Sequence, residues 1–234
     1  MKNIDLAEIG ALIGDPARAA IVDALMDGRA QTAGELAFRA RISPQTASEH
    51  LRRLAEAKIL AGLKRGRHRY FRIASPLVAR MMESIGAVAA IEAPPRRRPP
   101  SRADDALREA RMCYDHLAGR LAVDIADAMV RCRLLALDAD GGEVTPMGFA
   151  FFDRLGIDLE THRRVRRAFC RPCLDWSERR FHIAGYTGAA FARHCEMQGW
   201  IKRMRDGRAV VLQPSGREAL CGLLGLAPAE AEAA

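Results

Sequence analysis

No stretch of the chain approaches the ~20 consecutive apolar residues that a bilayer-spanning helix needs. Its opening residues, Met1-Lys2-Asn3-Ile4-Asp5, hold neither the long apolar segment nor the cleavage site of a signal peptide. These absences predict no membrane partner and a cytoplasmic location. A phosphate-cradling glycine loop and a nucleophile elbow are missing as well. No catalytic residue is therefore assigned, no enzyme is expected, and the cofactor stays unknown. Negative charge is in deficit, with 29 Asp+Glu against 37 Lys+Arg, a net charge of +8 and a pI near 9.6. Such a balance favours a polyanionic partner, because neutralising phosphates releases their condensed counterions.

What is present begins with a run of helix signals. Residues 4–14 place Ile4, Leu6, Ile9, Leu12 and Ile13 at roughly helical spacing. Asp15-Pro16 supplies an N-cap and a first helical residue, and Gly28 a left-handed stop. Thr32 and Glu35 stand at capping-box spacing, opening a short helix that carries Leu36 and Phe38. Ser43-Pro44 starts the next helix, whose Leu51, Leu54 and Ile59 form one apolar seam. Its other face shows Gln45, Thr46, Ser48, Glu49, Arg52 and Arg53. Two short helices with a tight turn, the second polar and cationic outside, describe a helix-turn-helix. After Gly62, two short strands around Arg65-Gly66-Arg67 carry Lys64, Arg65, Arg67, His68, Arg69 and Arg72, a hairpin suited to lie along a sugar–phosphate backbone.

The segments IGDPARAAIVDALMDG, SPQTASEHLRRLAEAKIL and GLKRGRHRYFRI together resemble the ArsR/SmtB family of dimeric bacterial repressors over about residues 5–90. The resemblance implies that Ser43, Gln45, Thr46, Ser48 and His50 lie at or near base edges. It also implies that Arg52, Arg53 and the hairpin cations Lys64, Arg65, Arg67, His68 and Arg69 serve phosphate or minor groove. The implied partners are a double-stranded DNA operator, pseudo-palindromic, and a second copy of the chain. The first helix and the apolar helix after the hairpin, with Leu77, Val78, Met81, Met82, Ile85 and Val88, would pack across the two-fold axis. Relatives often sense metals through thiols beside the recognition helix or through His and acids on the last dimer helix. Here the stretch 35–40 has no thiol and the 75–91 helix has no His or Cys, so no metal site is assigned.

Four prolines and the run Arg96-Arg97-Arg98 in 92–103 read as a linker, with a phosphate-following arm as the alternative. Beyond it the sequence echoes itself. His116-Leu-Ala-Gly119 returns as His182-Ile-Ala-Gly185, Asp140-Gly141 as Asp206-Gly207, and Val144-Thr-Pro-Met-Gly148 as Leu212-Gln-Pro-Ser-Gly216. Each copy reads helix, hairpin, Pro-started helix, an order that is itself winged-helix-like. The expected fold is therefore α+β and mainly α. An N-terminal winged helix-turn-helix (1–91) and a linker (92–103) precede a duplicated helix–hairpin–helix domain (104–234) that senses a ligand or stabilises the dimer.

Of six cysteines, only Cys170 and Cys173 are spaced for joint chemistry; the others read as small buried apolar residues. Three uses of the segment 163–182 stay open beside a purely structural one. Cys170, Cys173 and a histidine such as His182 could hold a thiophilic metal or metalloid. Nearby arginines could lower a thiol pKa and make a thiol–disulfide switch. Trp176, with Trp200, Tyr186 and Phe181, could line a pocket for a small organic effector. A rival from another class is a thiol oxidoreductase built on Cys170 and Cys173.

Overall fold

The computed structural model describes residues 6–66, 68–92, 102–162, 168–204 and 208–226. The chain divides into two compact units, Met1–Ser84 and Ile85–Ala234. The first contains α1 (Leu6–Ile13), α2 (Pro16–Ala24), β1 (Gln31–Thr32), α3 (Ala33–Ala40), α4 (Pro44–Glu56), β2 (Leu60–Arg65) and β3 (His68–Ile73). α5 (Pro76–Glu92) crosses the division.

Local chemistry sets the helix starts in the first unit. Asp15 accepts from Arg18 N at 2.9 Å ahead of α2, and Ser43 accepts from Thr46 N at 3.1 Å ahead of α4. Thr32 and Glu35 form the reciprocal capping box of α3. Ile21, Val22, Leu25, Leu36, Leu51 and Leu54 close the core beneath them. Phe38, expected beside Leu36, is 83% exposed. Two helical residues span about 200°, so Leu36 and Phe38 fall on opposite faces. The wing hairpin pairs Leu60↔Ile73 through Arg65↔His68. A third strand joins it: β1 pairs Gln31↔Phe71 and Thr32↔Tyr70, giving the order β1-β3-β2.

After α5 the second unit continues with α6 (Arg102–Glu109), whose first two residues fall inside the expected 92–103 linker; residues 93–101 lie outside the described residues. There follow β4 (Arg111–Cys113), β5 (His116–Ala118), α7 (Arg120–Arg131), β6 (Leu135–Leu137), β7 (Gly142–Val144) and α8 (Pro146–Arg154). The same order then returns as β8 (Arg171–Leu174), β9 (Phe181–Ala184), α9 (Gly185–Met197), β10 (Ile201–Arg203), β11 (Val210–Leu212) and α10 (Pro214–Leu224). Each set is hairpin, helix, hairpin, Pro-started helix, so a hairpin precedes the helix that the sequence echo placed first. Asp206-Gly207, part of that echo, lies outside the described residues.

The two sets pack reciprocally. α7 lies on β9 and α9 on β5, and β5 and β9 meet between them. β7 runs beside β8, while β4 and the residue before it bond to the other set's end: Met112 N donates to Arg208 O at 2.8 Å, and Ala110 O accepts from Val210 N at 3.0 Å. Gly119 and Gly185 occupy matching places, each following a first hairpin with φ of 88° and 82°. A Cβ there would stand 2.7 Å from Arg108 O or from Ala168 O, so both positions exclude a side chain twice over.

Candidate functional site

In the first unit, α4 turns Ala47, Leu51 and Leu54 inward and leaves Gln45, Thr46, Ser48, Glu49, Arg52 and Arg53 exposed. Ser43 is committed to its cap, with its Oγ also 2.8 Å from Thr46 Oγ1, and Ser48 Oγ donates to Pro44 O at 2.8 Å. Gln45 is exposed at the second position of the helix, where the first-turn N–H groups and the helix dipole favour an anion. Lys64, Arg65, Arg69 and Arg72 are exposed on the hairpin. Arg67 and the side chain of His68 lie outside the described residues.

Two side chains sit differently from the rest of this face. His50 is only 14% exposed: its Nδ1 lies 3.4 Å from Arg18 Nη1 and its Nε2 4.0 Å from Asp15 Oδ1. Arg18 itself is buried, donating to Leu12 O and, at 2.8 Å, to Ala11 O, so it caps α1 while touching α4 through His50. Arg52 reaches sideways along its own helix to Glu49 and Glu56, each at 2.6 Å. Those carboxylates hold its guanidinium in place and offset its charge.

The second unit brings together a different set of groups from the one the linear spacing suggested. Cys173 on β8 stands directly across from His182 on β9, and Cys113 on β4 directly across from His116 on β5. One donor atom from each of these four buried residues lies within 4.8 Å of the others. The two imidazoles are stacked, with centroids 5.1 Å apart. His116 Nδ1 faces Asp115 Oδ1 at 3.3 Å, and His182 Nδ1 faces Asp175 Oδ2 at 3.5 Å. Burial and the neighbouring His116 hold His182 well below the usual imidazole pKa, so it is neutral. Its Nε2 is buried without a hydrogen bond, which costs about 1–3 kcal/mol for a polar atom left dry.

Cys170 does not join this set. Its thiol packs in the apolar core beside Gly142, and burial pushes it up to about 11 despite a hydrogen bond with Thr187. A protonated, buried thiol is a poor nucleophile. Arg163, Arg164, Arg166 and Arg167, invoked to activate it, lie outside the described residues.

Trp176 is half-buried and engaged by two arginines. Its ring lies under Arg111 at 4.4 Å and Arg108 at 5.5 Å. Arg111 and Asp175, both fully buried, form an ion pair at 2.8 Å. Asp175 also accepts from Gly119 N at 2.7 Å and from Ser177 and Glu178. Two of the other aromatic residues named for an effector pocket are engaged elsewhere: Tyr186 stacks on His162 and Phe169, and Trp200 meets His194 edge-on. A cavity lined by Leu117, Ala122, Ile125, Ile183, Gly188 and Phe191 measures about 10 Å³, room for one water at most.

Sequence reasoning missed Cys113, His116, Arg111 and the hub role of Asp175; of the thiophilic set it weighed, Cys173 and His182 fall in the four-donor group and Cys170 does not. The available signal was Cys-x-x-His at 113–116, a ligand-like spacing across a two-residue turn.

Residues 13–62 match the family described as a helix-turn-helix domain. Over 215 residues the chain is 44% identical to an uncharacterised HTH-type transcriptional regulator, YdfF of Bacillus subtilis (strain 168), covering 92% of this chain and 95% of the relative. The chain belongs to the HTH-type transcriptional regulators. Among solved structures, the homodimeric winged helix-turn-helix domain of Mb0332 from Mycobacterium bovis, a possible ArsR-family regulator, is 24% identical with a TM-score of 0.36, spanning 41% of this regulator and 87% of that chain. The antimony-specific repressor AntR is 28% identical with a TM-score of 0.32, spanning 40% and 88%. The regulator carries a DNA-binding winged helix-turn-helix, and no helix among its described residues is long and apolar enough to cross a membrane.

Proposed function

We propose that the regulator is a homodimeric repressor that binds a pseudo-palindromic operator. In this reading Gln45, Thr46 and Ser48 meet base edges in the major groove, Ser43 sets the helix start, and Arg53 with Lys64, Arg65, Arg67, His68 and Arg69 takes phosphate or minor groove. Arg52 contributes less, since two glutamates already occupy it. His50 acts as a positioning residue, setting α4 against Asp15 and Arg18. The observation that carries the reading is the exposed polar face of α4 followed by an exposed cationic hairpin on one compact unit.

Dimerisation through α1 and α5 is supported by apolar side chains left in solvent: Leu6 at 87%, Leu77 at 67% and Val88 at 60% exposed. The second unit, with its element order given twice, is taken as a duplicated domain that stabilises the dimer and carries the response to an effector. It is not a second DNA reader. Its α7 is buried along most of its length, and the half-buried acids Asp124 and Asp127 offset its two arginines, Arg120 and Arg131, which leaves no cationic face for phosphate.

The test is fluorescence anisotropy with duplexes tiled across the DNA upstream of the coding sequence, alongside light scattering for mass. A dimer that prefers one inverted repeat, with affinity falling steeply as salt rises, is expected. A monomer indifferent to duplex at low salt sinks the reading.

A further inference from the structure

We propose that Cys113, His116, Cys173 and His182 bind one Zn(II)-like divalent ion in tetrahedral S₂N₂ coordination at the centre of the second unit. This site belongs to the second unit rather than to the one that carries the DNA-reading face, and it takes Cys173 but not Cys170 from the Cys-x-x-Cys motif. Its four donor atoms lie within 4.8 Å of one another. Bonds of about 2.0–2.3 Å place tetrahedral ligands roughly 3.4–3.8 Å apart, so movements of about an ångström, shared among four side chains, close the set.

The donor chemistry selects the ion. Hard cations such as magnesium and calcium take oxygen ligands, whereas two sulfurs and two imidazoles suit zinc and its softer neighbours. On binding, the two thiols release their protons to solvent and become thiolates. Two thiolates and two neutral imidazoles then cancel the charge of the ion, so the filled site is neutral and can stay buried without an unpaired charge.

The surroundings fit a closed site. The four residues are 0–7% exposed, which leaves no side open to a water or substrate, as in structural rather than catalytic zinc sites. Asp115 and Asp175 stand behind the Nδ1 atoms of His116 and His182, the carboxylate–histidine arrangement that orients metal-bound imidazoles. The buried Nε2 of His182, which makes no hydrogen bond, gains a partner in the ion. Each hairpin, β4–β5 and β8–β9, gives one cysteine and one histidine. The ion therefore clamps the two halves of the unit together.

The experiment uses the full-length protein, purified without chelator or immobilised metal, dialysed, and assayed for metal by mass spectrometry. About one zinc per chain is expected. After exchange to Co(II), strong visible d–d bands and a thiolate charge-transfer band in the near ultraviolet should mark tetrahedral thiolate coordination. Cys113→Ala and Cys173→Ala should each abolish the charge-transfer band or weaken it with loss of the ion, while Cys170→Ala retains it. Because the wild-type spectrum is read directly, the outcome does not depend on the variants folding. Zinc far below one per chain even after reconstitution, an octahedral cobalt spectrum, or a Cys113–Cys173 disulfide in a metal-free chain would overturn the proposal. So would metal loss in Cys170→Ala with retention in Cys113→Ala.

Discussion

Replacing Asp175 with asparagine removes one charge from the centre of the second unit at nearly constant volume. The native carboxylate accepts from Arg111 Nη2 at 2.8 Å, Gly119 N at 2.7 Å, Ser177 N at 2.9 Å, Ser177 Oγ at 2.7 Å and Glu178 N at 3.1 Å. An amide keeps one acceptor oxygen and points an NH₂ group at donors. Arg111, fully buried, then loses its ion-pair partner. Breaking a buried pair from one side costs about 3–5 kcal/mol, because the remaining charge stays dehydrated. In a unit of this size each kcal/mol moves the melting temperature by about 2–4 °C, so a fall of about 6–20 °C is expected. Both tryptophans, Trp176 and Trp200, belong to this unit, so their fluorescence reports its unfolding alone. Thermal and urea melts should show the loss with and without chelator, which separates the ion pair from any bound metal. The double variant Asp175→Asn/Arg111→Met should recover part of the stability, since it removes the stranded charge. A shift below about 1 kcal/mol in Asp175→Asn would refute the claim that this pair is buried and dry.

Three other perturbations address separate parts of the molecule. Lys64→Ala/Arg65→Ala removes four cations from a dimer, so the slope of log affinity against log salt should shrink by about 3.6 in anisotropy titrations; Arg52→Ala should change it far less, and the reverse ranking refutes the assigned roles. Thr32→Ala opens the capping box of α3 and should destabilise the first unit by about 1 kcal/mol in urea melts. Hydrogen bonds from Thr32 hold the Glu35 carboxyl below its usual pKa, so its contribution is present above the unfolded value of about 4.3 and is lost as pH falls through the lower folded value. The stability gap between wild type and Glu35→Gln should therefore close below about pH 4, and a gap that widens there contradicts the assignment. Gly119→Ala forces a side chain into a left-handed backbone and against Arg108 O, at an expected cost of about 1–3 kcal/mol or more; a neutral effect on the tryptophan-detected melt would show that this close approach is absent.

The first unit was legible because its signals are local. Asp15, Thr32 and Ser43 each cap the helix they precede, and each does so through a side chain three residues from its target N–H. Non-local pairing was less visible. Gln31 and Thr32 carry no strand pattern of their own, and become β1 only because β3 offers an edge. His50 fits the family pattern of a base reader, yet Arg18, thirty-two residues earlier, draws it toward Asp15. The expected linker was overextended at both ends: α5 runs to Glu92 and α6 starts at Arg102, helical signals that the neighbouring prolines masked.

The cysteines show why spacing along a chain misleads in extended structure. A Cys-x-x-Cys motif draws notice because three residues make nearly one turn of a helix. Along an extended strand the period is two, so side chains three apart point to opposite faces. Cys170, just before β8, accordingly goes into the apolar core while Cys173 turns toward the hairpin interface. Across an antiparallel pair the rule reverses, because residues directly opposite share a face and lie about 4.5–5.5 Å apart at Cβ. Cys113 meets His116 across a two-residue turn and Cys173 meets His182 across a longer one, so the donors are unevenly spaced in sequence but equivalent in register. The echo of 66 residues between the histidines could not carry the cysteines with it, since the second loop is longer. A one-residue slip in either hairpin would turn one donor away from its partner. The four-donor set therefore depends on both registers at once, and an ion bound to it would in turn fix them.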